Sequence, residues 1–358
     1  MNHSQTAGRL ALPLLFCALA IPSMAASRNT ITIMSRNMDA GTDFNYILGA
    51  VDESSFIQGV AATLDEIKAS GIPQRADRLA EEIAATTPDL IGLQEVTLWR
   101  TGPLGAAATD ILYDQLDLLL AALAKRNLHY GIVAIQAVVD TEAPVPTAGL
   151  TLRLTDRDVI LARLDLRQSE FDLTNAQTHR FRAAFVLGNP VLGQLTLPCG
   201  WLSVDITLRG ARFRFVNTHL ESPVPGVPEA AEVQVAQAQE LIASVADADV
   251  PVIIVGDLNA NAEPGIDHFD TTKKLVEAGF ADAWPVVHPG EAGYTWPLFG
   301  EDQDTGPATP SKRIDLIYTR GTKPHFFTTG LEVLSAERTG MQAPASDHAG
   351  LVVKLVLE

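Results

Sequence analysis

The sequence predicts an α/β protein built as a two-sheet α/β sandwich with helices on the outer faces. Short apolar runs, typical of buried strands, alternate with amphipathic helical segments in both halves of the 358-residue chain. A predicted hairpin near the centre adds antiparallel pairing. The chain is 47% apolar and contains neither repeats nor an interdomain linker, which favours one large domain.

The individual elements follow from local patterns. Strands are predicted at Thr30–Ser35, Leu90–Leu93, Val159–Ala162, Trp201–Leu208, Phe213–Val216, Val252–Val255 and Gly350–Leu357. Helices are predicted at Arg75–Ala85, Asp110–Lys125 and Pro228–Ala246, and helical patches within an insertion from Asp43 to Ser70. The dipeptide Arg209-Gly210 separates two of the strands and predicts the turn of the hairpin.

The first 26 residues are typical of an export signal. Arg9 provides a positive start, Leu10–Ile21 an apolar stretch, and Ser23-Met24-Ala25 a small-x-small cleavage site. About a dozen apolar residues are too few to span a bilayer of about 30 Å as a helix. We therefore expect a secreted or periplasmic mature chain, residues 27–358, without a transmembrane segment; a retained anchor is the alternative.

Cysteine content and charge narrow the classes of function. Without the leader, Cys199 is the one remaining cysteine, so an internal disulfide is excluded, which suits a bacterial periplasm or medium. A net charge of −17 excludes a generic polyanion-binding surface. Residues 151–220 nevertheless carry nine arginines and no lysine. That stretch is either a phosphate-binding face or a solvated outer strand face.

Polar fragments lie where the apolar runs end or begin. In chain order they are Arg36-Asn37, Gln94-Glu95, Asn217-Thr218-His219, Gly256-Asp257-Leu258-Asn259 and Ser346-Asp347-His348. Strand ends are where a rigid sheet can direct side chains into one crevice. The sequence therefore predicts that carboxylates, amides and histidines gather at one edge of the fold.

With a sixth fragment, Arg313–Tyr318, this ordered set resembles the endonuclease/exonuclease/phosphatase superfamily. That superfamily includes pancreatic-type deoxyribonucleases, abasic-site endonucleases, neutral sphingomyelinases and inositol polyphosphate phosphatases. The resemblance covers roughly Thr30 to Glu358, and the segment Arg36–Phe44 is similar to an exported bacterial branch. It implies the same two-sheet sandwich, a phosphoester substrate that could be nucleic acid, and a monomer.

The resemblance also implies a divalent cation. Hard cations such as Mg²⁺ take oxygen ligands and use only one or two protein carboxylates. Glu95 is the primary candidate ligand, Asn37 orients it or contributes to the metal site, and Asp347 is a possible further ligand. The expected cofactor is Mg²⁺ or Mn²⁺.

The same resemblance implies roles for the two histidines of the motifs, His219 and His348. His348 is expected to act at the scissile phosphate, held by Asp315 as a carboxylate-imidazole pair. His219 would stabilise the phosphoryl oxygens or protonate the leaving group. Asp156 lies where deoxyribonuclease-like members place the acidic partner of that histidine, and Asp158 is an equally close alternative.

Two further residues complete the predicted site. Asp257 would orient the attacking water or act as its base, and Asn259 would donate to a phosphate oxygen. Whether the base is the aspartate or a histidine stays open. An aromatic segment, Tyr294–Pro297, lies where family members often carry a residue near the substrate, but it is equally consistent with a buried loop anchor.

The predicted function is an exported, divalent-metal-dependent phosphoesterase that hydrolyses a phosphodiester by metal-assisted in-line attack of water, with nuclease activity as one form it could take. A sphingomyelinase-like enzyme for lipid headgroups or inositol phosphates is the nearest alternative. A catalytically inactive secreted binding protein with the same fold is an alternative of another class. The motif sets of calcineurin-type metallophosphoesterases and of GxSxG serine hydrolases do not occur in the sequence.

Overall fold

The computed structural model describes residues 30–166, 170–224, 226–263, 269–298, 308–329 and 344–357. The predicted export signal, residues 1–26, lies outside these ranges. Across the described residues, no helix combines the length and apolar character needed to cross a membrane.

The strands form two large sheets and one small one. In chain order they are β1 (Thr30–Asn37), β2 (Leu90–Gln94), β3 (Leu98–Pro103), β4 (Asp110–Asp114), β5 (Tyr130–Val145), β6 (Leu150–Arg163), β7 (Phe171–Arg180), β8 (Phe185–Asn189), β9 (Gly193–Leu197), β10 (Gly200–Leu208), β11 (Ala211–His219), β12 (Val252–Asp257), β13 (Ala281–Asp282), β14 (Asp315–Arg320), β15 (Thr322–Thr329) and β16 (Leu351–Leu357). One sheet has the order β15-β16-β1-β2-β6-β3-β4 with β5 paired to β6, and the other has the order β13-β14-β12-β11-β10-β7. Strands β8 and β9 form a separate hairpin.

Helices flank these sheets. They are α1 (Asn45–Leu48), α2 (Glu53–Ala69), α3 (Ile72–Thr86), α4 (Gln115–Lys125), α5 (Pro228–Ser244), α6 (Phe269–Glu277) and α7 (Ala283–Val287), with a 3-10 turn at Pro146–Ala148. Helices α3 and α4 bury leucines and alanines against the outer face of the first sheet. Helices α5 and α6 do the same on the second sheet.

The main core lies between the two sheets. Ile33 and Val353 from the first sheet meet Leu202, Phe215 and Ile253 from the second, all with no exposed surface. Full burial of such a side chain contributes about 1.5–3 kcal/mol, so this layer holds the sheets face to face. The observed architecture confirms the predicted two-sheet α/β sandwich with helices outside.

One predicted boundary is wrong. The helix expected from Asp110 begins only at Gln115, because residues 110–114 form β4 and pair with β3. The Asp114 carboxylate then accepts hydrogen bonds from the backbone N–H groups of Leu116 and Asp117, which caps the helix at that point. Strand pairing and the cap together override the helical spacing of the apolar residues.

The other elements agree with the sequence. The hairpin turn at Arg209-Gly210 has positive φ at both residues, 50° and 90°, as a two-residue turn requires. The insertion from Asp43 to Ser70 contains α1 and α2. Helix α2 buries Phe56 and Leu64 in a separate apolar cluster that includes Trp99.

A buried amide joins the two sheets near their shared edge. Asn217 on β11 donates to the carbonyls of Leu93 (2.9 Å) and Val159 (3.1 Å), and it accepts from Gln94 Nε2 (2.6 Å). Gly92 permits this approach, because a Cβ at that position would lie 2.6 Å from Asn217 Oδ1. A polar contact therefore sets the sheet spacing where apolar side chains would hold the sheets further apart.

We expect Asn217→Leu to lower the free energy of unfolding by at least about 2 kcal/mol, because each buried polar group left without a partner costs about 1–3 kcal/mol. Urea denaturation measures the change. Gln58→Leu, which removes an exposed side-chain hydrogen bond on α2, is the control and should stay within about 0.5 kcal/mol of wild type. An Asn217→Leu protein as stable as wild type would contradict this account.

Candidate active site

The predicted site residues converge at one edge of the sandwich. Asn37 ends β1, Glu95 directly follows β2, His219 ends β11 and Asp257 ends β12. Strands β1 and β2 are parallel neighbours, as are β11 and β12, and His219 is the direct partner of Asp257. Because the carboxyl ends of parallel strands meet at one edge, these side chains are brought together by the sheet register.

Asn37 connects the two carboxylates of the site. Its Nδ2 lies 2.8 Å from Glu95 Oε1 and 3.0 Å from Asp257 Oδ2, so both amide protons are donated. Its Oδ1 accepts from the N–H of Asp39 at 2.8 Å. The second Glu95 oxygen accepts from the N–H of Ala40 at 2.8 Å. Asn37 therefore orients the carboxylates, and its polar atoms are already engaged, which argues against the predicted alternative that it ligates the metal.

The backbone is strained at two site residues. Glu95 has φ of 53° and Asn259 has φ of 50°, the left-handed region that costs a non-glycine residue about 1–2 kcal/mol. The Asp257 carboxylate offsets part of this cost by accepting from the N–H of Asn259 at 2.9 Å. Strain retained at these positions is consistent with a functional requirement on their side-chain directions.

His348 is paired with a buried carboxylate. Its Nδ1 lies 2.8 Å from Asp315 Oδ2, and Asp315 has no exposed surface. Its Nε2 lies 3.7 Å from Asp257 Oδ2 and 3.9 Å from Asp347 Oδ2. Burial lowers the pKa of His348, but the carboxylates of Asp315, Asp347 and Asp257 outweigh burial and raise the pKa well above its usual range. The arrangement is the carboxylate-imidazole pair that the sequence predicts.

His219 approaches the same Asp257 oxygen as His348. Its Nε2 is 3.6 Å from Asp257 Oδ2 and 3.1 Å from the Asn259 amide nitrogen. Burial lowers the pKa of this imidazole, yet the surrounding carboxylates, Asp257 and Glu95 foremost, raise it to about 9. The protonated form is therefore favoured near neutral pH, and it can donate a proton to a leaving oxygen.

Asp156 and Asp158 both approach His219 from β6. Asp158 is buried and Asp156 half-buried: the pKa of Asp156 is raised to about 7 by burial and by Glu95, and that of Asp158 is raised well above its usual range by burial. His219 is the strongest influence opposing the burial of Asp158. Both Asp158 carboxylate oxygens lack a hydrogen-bond partner within the described residues. Asp158 thus influences the pKa of His219 more strongly than Asp156 does, and which of the two is its acidic partner stays a prediction.

Three residues form a compact candidate metal centre. Glu95, Asp257 and His348 each offer one ligand atom, and these atoms lie within 4.8 Å of one another. Two carboxylates and one imidazole can hold a divalent cation. The set contains Asp257, to which the sequence analysis assigned the role of base or water-orienting group. It leaves out Asp347, the predicted further ligand, whose Oδ2 accepts from Trp296 Nε1 at 3.1 Å.

The aromatic segment contributes a wall beside His348. The Trp296 ring is half-buried, its centroid lies 6.4 Å from that of His348, and Lys312 Nζ lies 5.2 Å from it. Tyr294 is exposed, whereas Thr295 is fully buried and accepts from the N–H groups of Ile314 and Asp315. The segment therefore combines both proposed roles, a loop anchor at Thr295 and an aromatic surface beside the site.

Most arginines of residues 151–220 are engaged within the protein. Their carboxylate partners are Asp140 for Arg153, Asp114 for Arg157, Asp165 for Arg163, Glu240 for Arg182, Glu170 for Arg209 and Asp205 for Arg214. Arg180 donates to a backbone carbonyl, Arg212 is exposed, and Arg167 lies outside the described residues. Guanidinium groups paired in this way favour the outer-face alternative over a phosphate-binding face.

Sequence reasoning missed the groups that support the site from behind. Arg36 and Arg75 are buried and bind backbone carbonyls of two site segments. The role of Arg36 could have been suspected from the sequence, because a charged residue interrupts an otherwise apolar strand next to Asn37. No sequence feature indicates the role of Arg75, since arginine on an amphipathic helix ordinarily faces solvent.

Comparisons with known proteins agree with this geometry. The curated relatives include tyrosyl-DNA phosphodiesterase 2 of Rattus norvegicus, 22% identical over 308 residues that cover 85% of this chain and 68% of the relative. Similar solved structures include an endonuclease/exonuclease/phosphatase from Beutenbergia cavernae (TM-score 0.56, 22% identity, 92% of this chain and 72% of that one). They also include a mannosyl-6-phosphatase from Bacteroides thetaiotaomicron (TM-score 0.54, 17% identity, 91% of this chain and 100% of that one). At these identities the structural likenesses show the fold.

The family assignment rests on the match to a family model. The model of the Endonuclease/Exonuclease/phosphatase family matches residues 66–348, which is more than half of the chain and includes Glu95, His219, Asp257 and His348. These are the residues that the sheets bring together. The chain therefore belongs to the Endonuclease/Exonuclease/phosphatase family.

Proposed function

We propose that the protein is an exported, divalent-metal-dependent phosphodiesterase that acts as a monomer and hydrolyses its substrate by in-line attack of water. The observation that carries the proposal is the compact group of Glu95, Asp257 and His348, with His219 Nε2 3.6 Å from Asp257 Oδ2. The name of the rat relative denotes a phosphodiesterase, which supports the reaction class. Export rests on the pattern of the first 26 residues.

Each chemical requirement of diester hydrolysis has a matching group. A divalent cation held by Glu95, Asp257 and His348 would neutralise charge on a phosphoryl oxygen. Asn259 Nδ2 donates one proton to the Leu220 carbonyl, and because the neighbouring His219 is protonated and cannot accept, its second proton is available to a phosphate oxygen. His219, protonated near neutral pH, is the candidate acid for the leaving group. Asp257 lies between the two imidazoles, where it can orient the attacking water.

The charge distribution favours a small or lipid-linked phosphodiester as substrate. The chain has a net charge of −17, and the arginines of residues 151–220 are mostly paired with the protein's own carboxylates. A long polyanion would therefore meet few free cations outside the site itself. A nuclease, a phosphomonoesterase and an inactive binding protein are the other outcomes that a substrate panel distinguishes.

We expect chelation to abolish activity and Mg²⁺ or Mn²⁺ to restore it. Glu95→Gln should raise the metal concentration for half-maximal rate by at least about 10-fold, because it removes a ligand charge. Initial rates on bis(p-nitrophenyl) phosphate against metal concentration measure the shift. Glu277→Gln, at an exposed position on α6, is the control. A full rate after EDTA treatment and desalting would show that the metal role is wrong.

The two histidines give a second expectation. His219→Ala and His348→Gln should each lower kcat by about 10²–10⁴-fold, the usual contribution of a group that transfers or positions a proton. Glutamine at position 348 keeps a donor for Asp315 and so limits the loss of stability. The exposed His129, changed to alanine, is the matched control. Near-wild-type turnover in both active-site variants would refute the proposed mechanism.

The substrate class follows from a panel at two salt concentrations. We expect turnover of the chromogenic diester and no nicking of supercoiled plasmid at either about 20 or about 200 mM salt. Sphingomyelin, inositol phosphates and a sugar 6-phosphate complete the panel. Nicking at low salt that falls steeply at high salt would instead indicate phosphate contacts and a nuclease. Absence of turnover on every substrate with metal present would leave the binding-protein alternative.

A further inference from the structure

Three arginines bind the backbone of the segment that carries His348. We call residues 344–348 the His348 loop. Arg36 donates to the carbonyl of His348, Arg75 Nε to that of Ala345 (3.2 Å), and Arg78 Nη1 to that of Pro344 (2.8 Å). Arg75 and Arg78 belong to α3, and Arg36 precedes Asn37 on β1.

The His348 loop depends on these donors, because it lacks regular secondary structure. Buried carbonyls without partners are costly, so the loop must obtain its hydrogen bonds from neighbouring elements. On its opposite side, the N–H of Leu298 donates to the Asp347 carbonyl at 2.7 Å, and the N–H of Ala349 donates to Thr295 at 2.8 Å. The loop is therefore clamped between the arginines and the aromatic segment.

Arg75 also reaches the other side of the candidate metal centre. It donates to the carbonyls of Met38 and Asp39, and its Nη1 lies 3.3 Å from Asp39 Oδ2. We call residues 38–40 the Glu95-support segment, because the N–H of Ala40 binds Glu95 Oε2. One guanidinium thus contacts both segments that position two members of the candidate metal centre.

We propose that Arg75, assisted by Arg78, is a positioning residue that sets the spacing between the Glu95-support segment and the His348 loop, and with it the geometry of the divalent-cation site. The inference rests on the proposed function and deepens it. A guanidinium offers five donors in a rigid planar fork and can serve carbonyls in several directions at once. A lysine ammonium at the end of a flexible stem cannot reproduce that arrangement.

A matched pair of variants tests the role. Arg75→Lys keeps the charge and removes the fork. Arg126→Lys makes the same change in an arginine that binds Asp77 and Glu81 on the outer side of the same helix, away from the site. For both, Mn²⁺ binding to metal-free protein is measured by calorimetry without substrate, together with the melting temperature, kcat and KM on the chromogenic diester.

We expect Arg75→Lys to weaken Mn²⁺ binding by about 10-fold or more, as loss of a group that orients ligands typically does. We also expect kcat to fall by about 10-fold or more with KM changed less than about twofold, because misplaced groups act mainly on the chemical step. Arg126→Lys should match wild type in Mn²⁺ affinity and kcat.

Two results would overturn the inference. One is Arg75→Lys with a lower melting temperature but wild-type Mn²⁺ affinity and kcat, which makes Arg75 merely structural. If Arg75→Lys does not fold, the variant Arg78→Lys tests the inference in its place. We expect Arg78→Lys to lower kcat by about threefold or more. An unchanged kcat in this variant is the second overturning result. Wild-type protein without activity but with Arg75-dependent Mn²⁺ binding would refute the proposed function and support the inference.

Discussion

A single amide nitrogen joins the two sheets at the active site. Asn37 belongs to the first sheet, and its Nδ2 donates to Glu95 of that sheet and to Asp257 of the other. Deeper in the sandwich, Asn217 makes the corresponding connection in the reverse direction, from the second sheet to carbonyls of the first. Because both amides are fully buried, a shift of one sheet against the other would break several hydrogen bonds together. The spacing of the catalytic groups therefore depends on these two side chains.

The candidate site concentrates carboxyl groups, which suits it to a divalent cation. Six carboxyl groups surround two imidazoles, namely Glu95, Asp156, Asp158, Asp257, Asp315 and Asp347. Burial raises the pKa of Asp257 and Asp347, which shows that their charged forms lack sufficient stabilisation from the protein. A divalent cation at Glu95, Asp257 and His348 would offset this excess and leave the site suited to an anionic substrate.

A buried ion pair supports the candidate site from behind. Arg36 pairs with Glu82 at 2.9 Å, and both are almost fully buried. Such a pair contributes little net stability, because its attraction must first repay desolvation. Its value is geometric, since Arg36 also binds the carbonyl of His348. The buried Arg36–Glu82 pair thus holds the irregular His348 loop in one position, although it adds little stability.

Short-range patterns in the chain were sufficient to predict the two-sheet sandwich, seven of the sixteen described strands, most of the helices, and the residues that meet at its edge. This succeeded because strand ends and polar fragments are local features, and because parallel strands bring their carboxyl ends together whatever their separation in sequence. The strand at residues 110–114 was missed, because its pairing partner β3 competes with a helical pattern.

Tertiary structure alone decided how the side chains are arranged within the candidate site. Whether Asp257 or Asp347 faces the candidate metal centre, and whether Asp158 or Asp156 couples to His219, depends on side-chain directions and burial that motifs do not encode. Arg75 is the clearest case. Its partner carbonyl at Ala345 is 270 residues away, and on its own helix it is indistinguishable from a solvated arginine. Contacts at that separation arise only when the packed sheets bring both segments to the same edge.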